Sequence, residues 1–221
     1  MKSILFDYGG TLDSDGATWL DRFYLIYKDC GVNVSRERFD RAFYDSEDEL
    51  SSRFALDGLD LEQTVRLQVR DVLAVLAADR VALAERIAGR FAQESRAHFR
   101  RLESTLRRLA GRYRLGVVSN FYGNLDGLLR AEGLRGHFSV VADSGILGVI
   151  KPDPKIFLHA ASALDSRPEE CLMVGDSIPR DMKGAAGVGM KKALVCARDE
   201  PPAAGQDWTI RSVADLGNLL A

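Results

Sequence analysis

The sequence predicts an α/β protein: a Rossmann-like, doubly wound parallel sheet with an all-helical segment inserted after its first strand. Two observations carry the prediction. Short apolar runs of strand length recur along the chain, and helical patterns separate those from residue 115 onward. Between the first run and the second lies a long stretch, about 14–95, that contains no convincing strand.

The runs come in this order: ILFD at 4–7, LGVVS at 115–119, SVVAD at 139–143, CLMVG at 171–175 and ALVC at 193–196. They are continuously apolar, as strands buried on both faces of a parallel sheet are. Helices between them supply right-handed crossovers. In the inserted stretch Trp19, Phe23, Ile26 and Tyr27 share one helical face, as do Phe39 and Phe43. Leu61, Val65, Val69, Val72 and Leu76 form another stripe, and Ile87 and Phe91 continue the theme. About four helices result, with the aromatic stripe read as core. Near the end, RDEPPAAGQD at 198–207 is loop-rich, WTI at 208–210 is a short strand, and Ser212 N-caps a last helix. The expected division is an α/β core of 1–13 and 96–221 with a helical unit of 14–95.

Composition narrows the classes of function. The 221 residues are 46% hydrophobic and 28% charged, which places the chain among ordinary globular proteins. A net charge of −2 gives no footprint for nucleic acid. No apolar run approaches the roughly 20 residues of a membrane span. The start, MKSILFD, lacks the apolar h-region of a signal peptide, so a cytoplasmic protein is expected. Cys30, Cys171 and Cys196 are scattered and read as small buried or half-buried residues rather than disulfides or a zinc site.

Four segments end an apolar run with residues suited to phosphoryl chemistry: ILFDYGGTLD, LGVVSN, IKPDPKIF and LMVGDSIPRD. In a doubly wound sheet, ligands bind beyond the carboxyl ends of the strands. Asp7, Ser119 and Asp176 each follow a strand, so one sheet edge collects them. Asp7 can attack phosphorus as a nucleophile and form an aspartyl-phosphate. An anion attacking an anion needs its charge offset. Asp176 and Asp181 offer a carboxylate pair for magnesium. Lys151 would neutralise the phosphoryl oxygens and the nucleophile. Ser119 and the Asn120 amide would donate to phosphoryl oxygens, and Gly9 and Gly10 would let main-chain N–H groups approach them.

The motifs FDYGGTLD, VVSN, the lysine of IKPDPKIF and GDSIPRD, in this order, resemble the haloacid dehalogenase-like hydrolase superfamily across nearly the whole chain. The phrases GILGVIKPDPKIFLHA and CLMVGDSIPRDMKGAAGVGM resemble its subfamily with a helical cap after the first motif. The resemblance implies that Asp7 is nucleophile and magnesium ligand, with the Gly9 carbonyl and Asp176 as further ligands. It implies that Asp181 supports the metal site directly or through water. Thr11 belongs to the turn, and Ser119 and Lys151 hold the phosphoryl group. The substrate implied is a small phosphorylated metabolite, with Mg2+ as cofactor, no nucleic-acid or membrane partner, and a monomer or homodimer.

Gly9 departs from the pattern. Phosphatases of this superfamily usually place a second aspartate there as general acid and base, and losing such a group costs roughly 10²–10⁴ in rate. Asp13 and Asp15 lie just beyond and read as loop or cap residues; His98, His137 and His159 receive no role. Three functions compete. One is a magnesium-dependent phosphatase, slow or rescued by a group from the cap. One is a weak or inactive protein that binds a phosphorylated ligand. The last is carbon-centred chemistry of the dehalogenase or phosphonate-cleaving type, the latter needing a cap lysine, for which Lys28 is the sole candidate in 14–95. Tyr24, Tyr27, Arg53 and Tyr122 are candidates for leaving-group contacts. Gly9→Asp is expected to raise turnover.

Overall fold

In the computed structural model, which describes residues 1–76, 81–197 and 205–220, six strands form one parallel sheet. They are β1 Ser3–Phe6, β2 Arg114–Ser119, β3 Val140–Asp143, β4 Cys171–Gly175, β5 Lys191–Val195 and β6 Trp208–Ile210. Their order is β3-β2-β1-β4-β5-β6. The chain builds outward from β1 through β2 to β3, then returns to lay β4 on the other side of β1. Phe6 is therefore flanked by Val117 and by Val174. The strand order reverses at β1, and the residue after β1 sits at the crevice such a reversal opens.

The continuous apolar runs are explained by helices on both faces. Ile4, Phe6, Val117 and Val174 pack on one side with Leu102, Leu106 and Leu109 of α4 (Val81–Ala110) and Leu125 and Leu128 of α5 (Leu125–Ala131). Leu5, Val118 and Met173 pack on the other side with Ile156, Phe157 and Ala160 of α7 (Pro154–Ala163) and Ala185 of α8 (Lys183–Gly187). Alternate residues of one strand thus feed two cores. The short α6 (Ser144–Leu147) follows β3, and α9 (Leu216–Leu219) closes the chain after a turn in which Ser212 Oγ accepts the Ala214 N–H at 3.1 Å. Most of the predicted loop at 198–207 lies outside the described residues.

The inserted stretch is helical: α1 Trp19–Asp29, α2 Arg36–Arg53, α3 Leu61–Val75 and the start of α4. Thr18, Ser35 and Asp60 cap the first three through side-chain oxygens that accept main-chain N–H groups. The aromatic stripes are core, with Phe23 stacked on Phe91 at a centroid distance of 4.1 Å. Residues 95 and 96, where the sequence suggested a boundary, both lie inside α4, which runs unbroken for 30 residues. Among the described residues no helix is long and apolar enough to cross a membrane.

Candidate active site

Asp7 follows β1 and opens a tight turn, Tyr8–Leu12. Its N–H donates to Val174 O at 2.9 Å, so β4 fixes its main chain. Only 5% of it is exposed. Ser119, the last residue of β2, donates Oγ–H to Asp7 Oδ1 at 2.9 Å. Lys151 Nζ donates to Asp7 Oδ1 and to Asp181 Oδ1, both at 2.7 Å. The second oxygen of Asp181 accepts the Ser177 N–H at 3.0 Å, and Thr11 Oγ1 donates to Asp176 Oδ1 at 3.2 Å. Asp7, Asp176 and Asp181 each offer a carboxylate oxygen within 4.8 Å of the others.

Three carboxylates stand together, two of them on the Lys151 ammonium, with the Arg180 guanidinium close enough for its charge to be felt by all three. Burial pushes Asp176 well above the usual carboxylate range, and the charges of Asp7 and Asp181 add to the effect. Burial also lifts Asp181 to about 6, against the pull of Lys151. Burial alone would lower the Lys151 ammonium, but Asp181 and Asp7 hold it above its ordinary value. Lys151 meets Asp7 and Asp181, while the only side chain donating to Asp176 among the described residues is the Thr11 hydroxyl. An all-oxygen donor set with surplus negative charge fits a hard divalent cation.

Two groups expected to meet phosphate have partners within the protein. The Gly10 N–H donates to Asp13 Oδ1 at 2.7 Å and is not free for a phosphoryl oxygen. Gly10 is needed for shape instead: its φ is 90°, and a β-carbon there would stand 2.5 Å from Asp176 Oδ2. The Asn120 carboxamide brackets Lys151, accepting its N–H at 2.7 Å and donating to its carbonyl at 3.2 Å. It positions the lysine loop, and its nitrogen keeps a second hydrogen beside the cavity that Asn120 lines.

These residues open on a cavity of about 270 Å³. Its floor includes Asp7, Gly9, Ser119, Asn120, Lys151 and Asp176; Trp19 of α1 and Phe43, Tyr44 and Glu47 of α2 also line it. Phe121, Tyr122 and Arg180 complete its sides. Of the expected leaving-group contacts only Tyr122 is there. Tyr27 is core, its hydroxyl donating to Val69 O at 3.3 Å. Tyr24 packs against Phe39, and Arg53 pairs with Glu49 and Asp71. Lys28 lies 5.6 Å from the Tyr24 ring and does not line the cavity, so the lysine that phosphonate chemistry would need is not in place.

Asp13 caps the Tyr8–Leu12 turn, as a loop or cap residue is expected to, and it does more than that. It is 1% exposed and joins the turn after Asp7 to the helices. Its Oδ2 accepts from Arg22 Nη1 at 2.6 Å and from Trp19 Nε1 at 2.7 Å. Trp19 in turn fills the space beside Gly9: a β-carbon on Gly9 would lie 3.0 Å from Trp19 Nε1. Asp15 stands 3.5 Å from Nε2 of the buried His98. Sequence reasoning missed Trp19, Phe43, Glu47 and Arg180 as lining residues. Arg180 was visible inside GDSIPRD, whereas Glu47, within DSEDEL, had no signal to separate it from a solvated face.

A model of the haloacid dehalogenase-like hydrolase family matches residues 1–189. The chain is 45% identical over 100 residues to haloacid dehalogenase-like hydrolase domain-containing protein 3 of Bos taurus, covering 45% of this chain and 39% of that protein. It is 38% identical over 90 residues to phosphoserine phosphatase of Thermus thermophilus, covering 40% and 36%. The chain thus spans about four tenths of the length of these curated relatives. The crystal structure of a phosphatase of the same superfamily from Thermococcus onnurineus covers 100% of this chain and 98% of its own at a TM-score of 0.58 and 24% identity. Solved dehalogenases share the fold as well, so fold likeness does not choose between phosphorus and carbon chemistry.

Proposed function

The chain belongs to the haloacid dehalogenase-like hydrolase family, and from that premise we propose that it is a magnesium-dependent phosphatase of small phosphomonoesters. One observation carries the reading: Lys151 Nζ sits 2.7 Å from both Asp7 and Asp181, beside the carboxylate of Asp176, which among the described residues accepts only the Thr11 hydroxyl. This arrangement suits the offsetting of charge when one anion attacks another. Phosphatases among the relatives support it further.

Asp7, Asp176, Asp181 and the main-chain carbonyl of Gly9 would hold the magnesium. When bound, the ion supplies positive charge that offsets the phosphoryl oxygens. Asp7 attacks phosphorus, with Ser119 orienting its carboxylate, and an aspartyl-phosphate forms as the ester oxygen leaves. Lys151 then faces phosphoryl oxygens as well as Asp7. Residues 14–95 act as a cap: α1 and α2 contribute the apolar wall of Trp19 and Phe43 that excludes water and meets the leaving group.

The test is hydrolysis of an aryl phosphate with and without magnesium. Magnesium-dependent turnover that Asp7→Asn abolishes is expected. Absence of turnover in the unmodified protein, or turnover that Asp7→Asn spares, overturns the reading.

A further inference from the structure

We propose that Glu47 of α2 is the proton donor to the leaving group and the base that activates water, in place of the aspartate that Gly9 lacks. The inference rests on the phosphatase reading above.

Geometry selects the wall. In phosphoryl transfer the attacking and leaving oxygens are roughly in line, so the ester oxygen points away from Asp7. A phosphomonoester seated on Ser119 and Lys151 therefore turns its ester oxygen out of the sheet edge, toward the residues of α1 and α2 that line the same cavity. The Gly9 position cannot supply an acid, and Trp19 occupies the space beside it.

Elimination then selects the residue. Asp13 lies at the bottom of an ion pair with Arg22. Asp21 lines the cavity, but it pairs with Arg36 Nη2 at 2.8 Å and accepts the Thr18 hydroxyl at 2.9 Å. Asp176 belongs to the carboxylate cluster. Glu47 is half-buried, lines the cavity and, among the described residues, has no hydrogen bond and no ion pair within 4 Å. Its surroundings suit a proton carrier. Burial raises its pKa above the ordinary range, Arg180 draws it back, and Asp48 adds to the rise.

The steps balance. Asp7 Oδ bonds to phosphorus as the phosphorus–ester oxygen bond breaks, and that oxygen takes the proton of the Glu47 carboxyl. The Glu47 carboxylate then takes a proton from water. The water oxygen bonds to phosphorus, the Asp7–phosphorus bond breaks, and phosphate leaves with Glu47 again protonated.

The test compares wild type, Glu47→Gln and Asp7→Asn in magnesium on phenyl phosphate and 2,4-dinitrophenyl phosphate. For Glu47→Gln, kcat/KM on phenyl phosphate should fall about 10²–10⁴-fold, and on the dinitrophenyl ester, whose leaving group needs no proton, less than about tenfold. The dinitrophenyl ester should also give a burst of about one equivalent of 2,4-dinitrophenolate before a slow steady state, because the aspartyl-phosphate now lacks its base. Equal losses on both esters, or no burst, overturn the role of Glu47 while leaving the phosphatase reading intact. No turnover of either ester by wild type overturns both. Loss of both esters in Asp7→Asn supports the phosphatase reading alone.

Discussion

Asp13→Ala removes a carboxylate from the joint between the turn after Asp7 and the helices. The structure sets the size of the effect. Asp13 is 1% exposed and Arg22 8%, and their charged atoms lie 2.6 Å apart. Arg22 keeps neutral partners, Ser95 Oγ at 2.8 Å and Phe91 O at 3.3 Å, and its guanidinium lies 4.0 Å from the Phe91 ring centroid. None of these neutralises its charge. Breaking a buried pair by removing one partner costs about 3–5 kcal/mol, because a buried charge is left uncompensated. For a chain of this size, each kcal/mol lowers Tm by about 2–4 °C, so Asp13→Ala should lower it by about 6–20 °C. The assay is thermal unfolding of wild type, Asp13→Ala, Arg22→Met and the double variant. The double variant should lose less than the sum of the two singles, since neither partner is then stranded. A Tm within about 2 °C of wild type for Asp13→Ala, or strict additivity, would refute the reasoning.

The structure revises the expected effect of Gly9→Asp. The new β-carbon meets Trp19 Nε1 at 3.0 Å, and Trp19 is tethered to Asp13 at 2.7 Å. The variant should lose about 1–3 kcal/mol by overpacking and gain no turnover; denaturant unfolding and an aryl phosphate assay check both, and a faster, equally stable variant contradicts the crowding. His98 gives a pH signature. Burial holds its pKa below the ordinary value, with Asp15 opposing. The unfolded chain therefore binds the extra proton, and stability falls as pH drops below about 6.5, the unfolded value. Comparing urea midpoints at about pH 7.5 and about pH 5.5, wild type should lose more than His98→Gln; equal losses count against the role of His98.

The sheet was legible because burial on both faces leaves little freedom of composition. ILF, LGVVS and CLMVG are apolar at successive positions because alternate side chains enter different cores. Asp7, Ser119 and Asp176 were legible for a related reason, as the first polar residues after such runs. The wall of the cavity was not. Glu47 sits among the charges of DSEDEL, and helical periodicity cannot tell a carboxylate facing a cavity from one facing water. Asp13 was legible as a cap but not as half of a buried ion pair, because its partners, Arg22 and Ser95, lie 9 and 82 positions away along the chain. An arginine on an amphipathic helix ordinarily reads as solvated. The hydrogen bonds that Asn120 and Gly10 make within the protein were not legible either. Each group was assigned to a ligand before its obligations to Lys151 and Asp13 could be counted.

The unbroken α4 has a mechanical consequence. At 1.5 Å per residue its 30 residues form a strut about 45 Å long. One end is wedged by Phe91 among the aromatic rings of α1, and the other is seated on the sheet by Leu102, Leu106 and Leu109. A pivot between residues 95 and 96 would have to break main-chain hydrogen bonds inside a helix. The strut therefore behaves as part of the frame. Among the described residues, the non-helical joints between the sheet edge and the cavity wall are the segment before α1 and the connections on either side of α2.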